Sequence, residues 1–252
     1  MKSGWLLSLW ALAVVMMIPA VAPAARELTV GVEDIDYSPA YGVRGGRFVG
    51  AGGQILDAFA AAKGHRLVYR PLPVKRLLAE LIHGGVDLKF PDSPDWQASL
   101  RRGQSIAYSK PVFAYIDGTV VLRDNAGMGV DAVRRLGTVA GFTPFAWGER
   151  IRAGKVELIE NPGFEQLLRQ VQTGRIDGAY VNIAVALHWA DQVLDSPGLL
   201  AFAPALPHIA ESYRLSSVSA PEIIAEFDDW LSRNGKLVAD IIARAGAERG
   251  VR

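Results

Sequence analysis

The sequence predicts an α/β fold of two lobes with mostly parallel sheets, and two observations carry that prediction. First, a fourteen-residue pattern occurs twice, 90 positions apart: Leu77-Leu78-Ala79-Glu80-Leu81-Ile82-His83-Gly84-Gly85-Val86-Asp87-Leu88-Lys89-Phe90 is echoed by Leu167-Leu168-Arg169-Gln170-Val171-Gln172-Thr173-Gly174-Arg175-Ile176-Asp177-Gly178-Ala179-Tyr180. Each copy reads as the last turns of a helix, a Gly that ends it, and a short apolar strand. Second, strand-length apolar runs alternate with helix-period segments, which implies parallel sheets with helices on both faces. Two similar lobes imply a cleft, the usual place for a ligand. Chance similarity between two ordinary αβ units is the alternative.

Residues 1–24 read as a targeting segment: Lys2, the apolar run Trp5 to Ile18, and the small-x-small site Ala22-Pro23-Ala24. The run is short for a membrane span, which needs about 20 residues; an uncleaved anchor is the alternative. The expectation is a periplasmic protein starting at Ala25, and not a lipoprotein, because the chain has no Cys. A chain of this size buries enough core to do without disulfides. The segment removes one Lys and no acid from 27 basic and 26 acidic residues, leaving a balanced remainder. Arg101-Arg102 and Arg134-Arg135 are isolated pairs, so no nucleic-acid or anionic-membrane partner is expected.

In order, Leu28–Val32 is a strand, and Gly45-Gly46 marks a turn before Arg47-Phe48-Val49. Residues 54–63 form a helix with Ile55, Leu56, Ala58, Phe59 and Ala62 on one face, stopped by Gly64. Leu67–Tyr69 is a strand, and Pro73 opens the helix of the first repeat copy. Val86–Phe90 is a strand leading into a polar loop, Pro91-Asp92-Ser93-Pro94-Asp95-Trp96. Ser105–Tyr115 and Thr119–Leu122 are extended on either side of Asp117-Gly118. Then Asp131 caps a short helix, Leu136–Ala140 is a strand, and Gly141-Phe142-Thr143-Pro144 opens another helix. Val156–Ile159 is a strand, Phe164–Gln172 the helix of the second copy, and residues 182–190 helical. Pro204–Pro207 breaks the chain before the extended Tyr213–Val218, and Glu222–Leu231 and Lys236–Ala245 close it as amphipathic helices.

These residues resemble the type 2 periplasmic binding proteins, in particular the family 3 solute-binding proteins for polar amino acids. The likeness covers the chain after residue 24 and rests on four features. They are the opening Leu28-Thr29-Val30-Gly31-Val32, the G-x-[VI]-D turn in both copies, Tyr108-Ser109-Lys110-Pro111 in place of F-S-x-P, and the paired C-terminal helices. The resemblance implies two lobes, 26–121 plus 211–252 and 122–210, joined by extended crossovers at Thr119–Leu122 and near Glu211–Leu215. It further implies a monomer that captures a small polar, anionic or zwitterionic solute for an ABC-type permease. The alternatives are a sensor or taxis partner, and a dehydratase-like enzyme using Asp92 or Asp95 as an acid.

By that resemblance, the Arg seven residues before the motif Ser holds a carboxylate, which lands on Arg102; a solvated Arg beside Arg101 is the alternative. The family's ammonium-binding Asp, five residues after the G-x-[VI]-D Asp of the second lobe, is here Asn182, which weakens the case for an ordinary α-amino acid. Asp92 holds the matching place in the first copy and is either a displaced acidic ligand or a turn residue between prolines. Tyr37 and Tyr41 follow the first strand, where the family sets an aromatic over the ligand. Trp96 either stacks on the solute or caps a core, and Lys89 projects oppositely to Leu88 and Phe90. Thr143, at a helix start, offers backbone N–H groups to an anion. The four histidines lack metal spacing, and no G-x-S-x-G or phosphate loop occurs, so a binder without metal or cofactor is expected.

Overall fold

The computed structural model describes residues 25–192 and 194–251, so the targeting segment lies outside the described residues. The chain opens with β1 (Glu27–Glu33), then a small antiparallel sheet of β2 (Asp36–Tyr37), β3 (Tyr41–Arg44) and β4 (Arg47–Val49). Helix α1 (Gly50–Lys63) begins four residues earlier than its apolar face predicts, because Gly52 lets it lie against the Phe90 ring, where a Cβ would come within 2.4 Å. There follow β5 (Arg66–Leu72), α2 (Val74–Ile82), β6 (Leu88–Asp92), α3 (Ala98–Arg101), β7 (Ala107–Tyr108) and the ten-residue β8 (Phe113–Leu122). The second half holds β9 (Arg135–Val139), α4 (Gly148–Arg152), β10 (Glu157–Asn161), α5 (Phe164–Gln172), β11 (Gly178–Asn182) and α6 (Ile183–Gln192). Then come β12 (Leu200–Phe202), β13 (Ile209–Ser217), α7 (Pro221–Arg233) and α8 (Gly235–Ala245).

The large sheet runs β10-β9-β11-β8-β13-β6-β1-β5. Each end is parallel: β5, β1 and β6 on one side, β10, β9 and β11 on the other. Between them β8 and β13 pair antiparallel from Tyr213↔Phe113 to Ile209↔Asp117. Strand β8 continues along β11 and β13 along β6, so these two strands belong to both halves. The extended connections expected at residues 119–122 and near 211–215 fall on these two strands, but residues 119–122 themselves pair with β11 and β12 in the second half.

Three expectations need correction. Asp117-Gly118 is not a break: both residues lie within β8, where a Cβ on Gly118 would meet the Phe202 ring at 2.6 Å, so the Gly serves packing. Pro91 and Asp92 belong to β6 and are buried, since β13 pairs with Asp92 through Arg214. No regular helix opens at residues 141–144; a single 3-10 turn at Phe145–Trp147 precedes the short α4, and Asp131 sits inside another such turn and pairs with Arg150.

The repeat is three-dimensional. Leu77, Leu78 and Leu81 on α2, and Leu167, Leu168 and Val171 on α5, are all buried, and each helix is followed by a left-handed Gly, Gly84 or Gly174. The repeated Asp is a strand clamp. Asp87 accepts the Thr29 N–H at 2.8 Å, and Asp177 accepts those of Arg134 and Arg135 at 2.8 and 2.7 Å. Gly31 and Gly137 form a further matched pair, each beneath the first Leu of its repeat helix. A Cβ on Gly137 would stand 2.4 Å from Leu167 Cδ1 and 2.5 Å from Ile176 Cδ1. Gly137→Ala is therefore expected to destabilise by about 1–3 kcal/mol through overpacking. A thermal melt checks this, and an unchanged midpoint would show that α5 can shift freely.

Candidate functional site

A cavity of about 90 Å³ lies where both parallel halves meet the central strands. Glu33 enters it from the carboxyl end of β1 and Tyr37 and Tyr41 from the small sheet; Gly141–Thr143 and Phe145 follow β9. Tyr180 and Val181 reach it from β11, Asp117 from β8 and Tyr213 from β13. The carboxyl ends of parallel strands are where open α/β sheets bind ligands.

Aromatic rings form most of the wall. Tyr37 stacks on Tyr41 with centroids 4.8 Å apart, and Phe142 meets Tyr37 edge-on at 5.5 Å. Tyr213 stacks on Tyr115 at 4.3 Å and takes the edge of Trp96 at 6.1 Å, while Trp96 Nε1 donates to the Tyr115 hydroxyl at 3.2 Å.

The ionisable carboxyl groups of the wall are Glu33 and Asp117. Glu33 is 3 % exposed and accepts from the Tyr41 hydroxyl at 2.7 Å. Burial raises its pKa against the opposing pull of Lys89. Asp117 is pushed up to about 7, first by burial and then by the charges of Glu33 and Glu211. Glu211 stands next to the cavity, accepting from the hydroxyls of Ser93 and Tyr115 at 3.2 Å each. Among the described residues, Asp117 Oδ1 and Gln97 Oε1 are buried without a hydrogen-bond partner, and the Tyr180 hydroxyl has the Ala146 backbone N–H beside it. Gln97 also has a positive φ of 51°, an uncommon conformation for a residue other than Gly, Asn or Asp. Among the described residues, no Arg, Lys or His lines this cavity; Lys75, exposed on α2, reaches the rim beside Gly141.

Behind Trp96 lies a second, closed network. Asp92 is 0 % exposed and accepts from Lys89 Nζ at 2.7 Å, Arg101 at 2.6 and 3.1 Å, and Ser216 Oγ at 2.6 Å. Burial alone would raise its pKa, but the charges of Lys89 and Arg101 outweigh that and hold it below the usual carboxylate value. Lys89 also donates to the Pro91 carbonyl at 2.6 Å and sits 5.3 Å over the Trp96 ring.

Of the residues singled out from sequence, Tyr37, Tyr41, Trp96 and Thr143 line the cavity. Lys89, Asp92 and Asn182 are buried behind its wall and do not. Asn182 donates to the Tyr213 hydroxyl at 2.9 Å and accepts the Val185 N–H at 3.1 Å, so it orients a cavity ring and caps α6. Arg102 is exposed; the inward guanidinium is Arg101, 9 % exposed, because α3 ends at 101 and the backbone turns outward at 102. At the anion cradle expected around Thr143, the Gly141 N–H goes to Glu160 at 3.4 Å and that of Phe142 to the Val139 carbonyl at 3.0 Å. Sequence reasoning missed Glu33, Asp117, Tyr180 and Tyr213. A lone Asp amid the apolar residues of an extended segment was the available signal for Asp117.

No protein-family model matches the chain, and no curated protein matches it. Solved structures do. A histidine kinase sensor domain with similarity to periplasmic binding proteins matches at 20% identity and TM-score 0.70, over 88% of this chain and 96% of the other. An amino-acid ABC transporter substrate-binding protein from Streptococcus pneumoniae, bound to L-arginine, matches at 18% identity and TM-score 0.68, over 88% and 94%. An ancestral amino-acid-binding protein, a precursor of cyclohexadienyl dehydratase, matches at 16% identity and TM-score 0.67, over 87% and 94%. At such identities the likeness is one of fold.

Proposed function

We propose that this chain, which has the fold of type 2 periplasmic binding proteins, is a periplasmic solute-binding protein that captures a small polar solute and delivers it to an ABC-type permease. The observation that carries this reading is the aromatic-walled cavity, to which both parallel halves and both central strands contribute. Lobes of 26–121 plus 211–252 and 122–210 would close about β8 and β13, a ligand favouring the closed form by its differential affinity. Cleavage after Ala24 accompanies this reading and would give a chain beginning Ala25-Arg26-Glu27. Small-angle scattering of that chain tests closure: saturation with a solute that raises the melting temperature is expected to shrink the radius of gyration, and an unchanged radius counts against it.

Two other readings have an observation each. The sensor-domain match favours docking to a membrane sensor in place of a permease, which genomic neighbours would separate. Asp117, with a pKa near 7 inside the cavity, suits a general acid better than Asp92, which is held ionised by two cations, or Asp95, which is exposed. A prephenate-like polyacid, however, would need cationic groups that the cavity wall lacks. Turnover of such an acid, abolished in Asp117→Asn, would replace the binding reading by an enzymatic one.

A further inference from the structure

We propose that the cavity takes an organic cation with no carboxylate at its buried end, such as a protonated amine or amidinium on a compact apolar or aromatic body. This specifies the solute class of the site proposed above and rests on that reading.

Three independent features converge on this class. The buried guanidinium of the region, Arg101, is already engaged in a two-pronged contact with the chain's own Asp92, so it offers no free fork to a carboxylate. Lys89 is likewise engaged by Asp92 and the Pro91 carbonyl, and the exposed Arg102 stands outside the cavity. The protein's own Asp92 thus takes up the fork that an anionic ligand group would need. The second feature is the set of unsatisfied groups. Among the described residues, two buried side-chain oxygens of cavity-lining residues, Gln97 Oε1 and Asp117 Oδ1, lack a hydrogen-bond partner, and the Tyr180 hydroxyl has only the Ala146 backbone N–H. Buried polar atoms are seldom left unpaired. The Gln97 oxygen accepts only, as does Asp117 once ionised, and with the Glu33 carboxyl group they suit a ligand rich in N–H groups. The third feature is the wall of tyrosine, tryptophan and phenylalanine faces, which attract a desolvated cation through the ring quadrupole.

Matched pairs differing only by the carboxylate test the proposal directly. Isothermal calorimetry would compare agmatine with arginine, cadaverine with lysine, histamine with histidine, and tyramine with tyrosine. The expected result is that in at least one pair the decarboxylated amine binds at least about tenfold more tightly, since the amino acid must bury a carboxylate among acids. An amino acid equal to or tighter than its amine in every pair, or no measurable binding of any of the four amines at millimolar concentration, would overturn the cation proposal. Solute capture as such is judged separately. An acidic or neutral solute that binds and compacts the protein leaves the binding function standing while removing the cation; a protein that copurifies with no small molecule and compacts with none removes both. Asp117→Asn supplies a second readout: amine affinity should drop about tenfold or more as the charge is lost, while the melting temperature at neutral pH holds or rises. A variant that keeps full amine affinity would show that Asp117 does not face the cation and would overturn the assignment.

Discussion

Asp92→Asn is expected to cost about 3–5 kcal/mol of stability, the usual penalty for leaving a buried charge without its partner. Here two cations lose their shared counter-ion at once, Lys89 and Arg101, whose side chains are 4 % and 8 % exposed. An amide in that place still accepts hydrogen bonds but supplies no charge. For a chain of this size the midpoint of thermal unfolding falls roughly 2–4 °C per kcal/mol, so a drop on the order of 10 °C should be seen by calorimetry. The concerted replacement Lys89→Met, Asp92→Leu, Arg101→Met is expected to be far milder, because buried ion networks often exchange for apolar packing at little net cost. Acid adds a check of sign. The folded-state pKa of Asp92 lies below its ordinary 3.8, so its contribution is present above that value and is lost as the pH falls through the folded pKa. The wild-type protein should therefore lose stability steeply only in strong acid through this group. A variant melting within about 1 kcal/mol of wild type would mean that water or a shifted Glu33 replaces the counter-ion.

What the sequence made legible is what is periodic or local. The duplicated helix–Gly–strand unit, the parallel halves, and α5 with the bounds its apolar spacing indicated all follow from side chains whose partners lie on the same or adjacent elements. The charge balance of the cavity was not legible for the opposite reason. Glu33, Asp117 and Glu211 come from three distant strands, and nothing local marks them as neighbours. Counting residues also failed where a short helix sets direction: one step along α3 separates an inward Arg101 from an outward Arg102, a difference a motif count does not resolve. The repeat gave Asn182 and Asp92 equivalent places just beyond two strands; they are the last residues of β11 and β6, and both face partners behind the wall. Position in a repeat determines the strand end, not the partner of the side chain there.

The unliganded protein should become less stable as the pH rises from about 5 to about 8, and Asp117→Asn should remove much of that slope. The pKa of Asp117 is raised from 3.8 to about 7, so between those values the folded state holds a proton that the unfolded state has released. Each step upward in that interval costs stability, on the order of a few kcal/mol in all if no cation is present. The groups facing Asp117 reinforce the direction. Glu33 and Glu211 are acids, and Tyr37, Tyr115, Tyr180 and Tyr213 all have pKa values raised above 10, so none contributes a cation. Lys89 acts on Glu33 while engaged by Asp92. His188 has the opposite sign: burial lowers its pKa from 6.5, so its share of stability improves as the pH rises. For that reason the difference between wild type and Asp117→Asn carries the test: the variant should be the more stable protein at pH 8 and lose that advantage by pH 5. Binding should mirror stability. With agmatine, whose charge is constant over this range, affinity should increase as the pH rises toward 7, by up to about tenfold per unit, because only the ionised fraction of Asp117 is competent to pair. Melting curves of the two proteins that stay parallel from pH 5 to pH 8 would show that Asp117 is already ionised in the folded state, and that some other group balances the acids of the cavity.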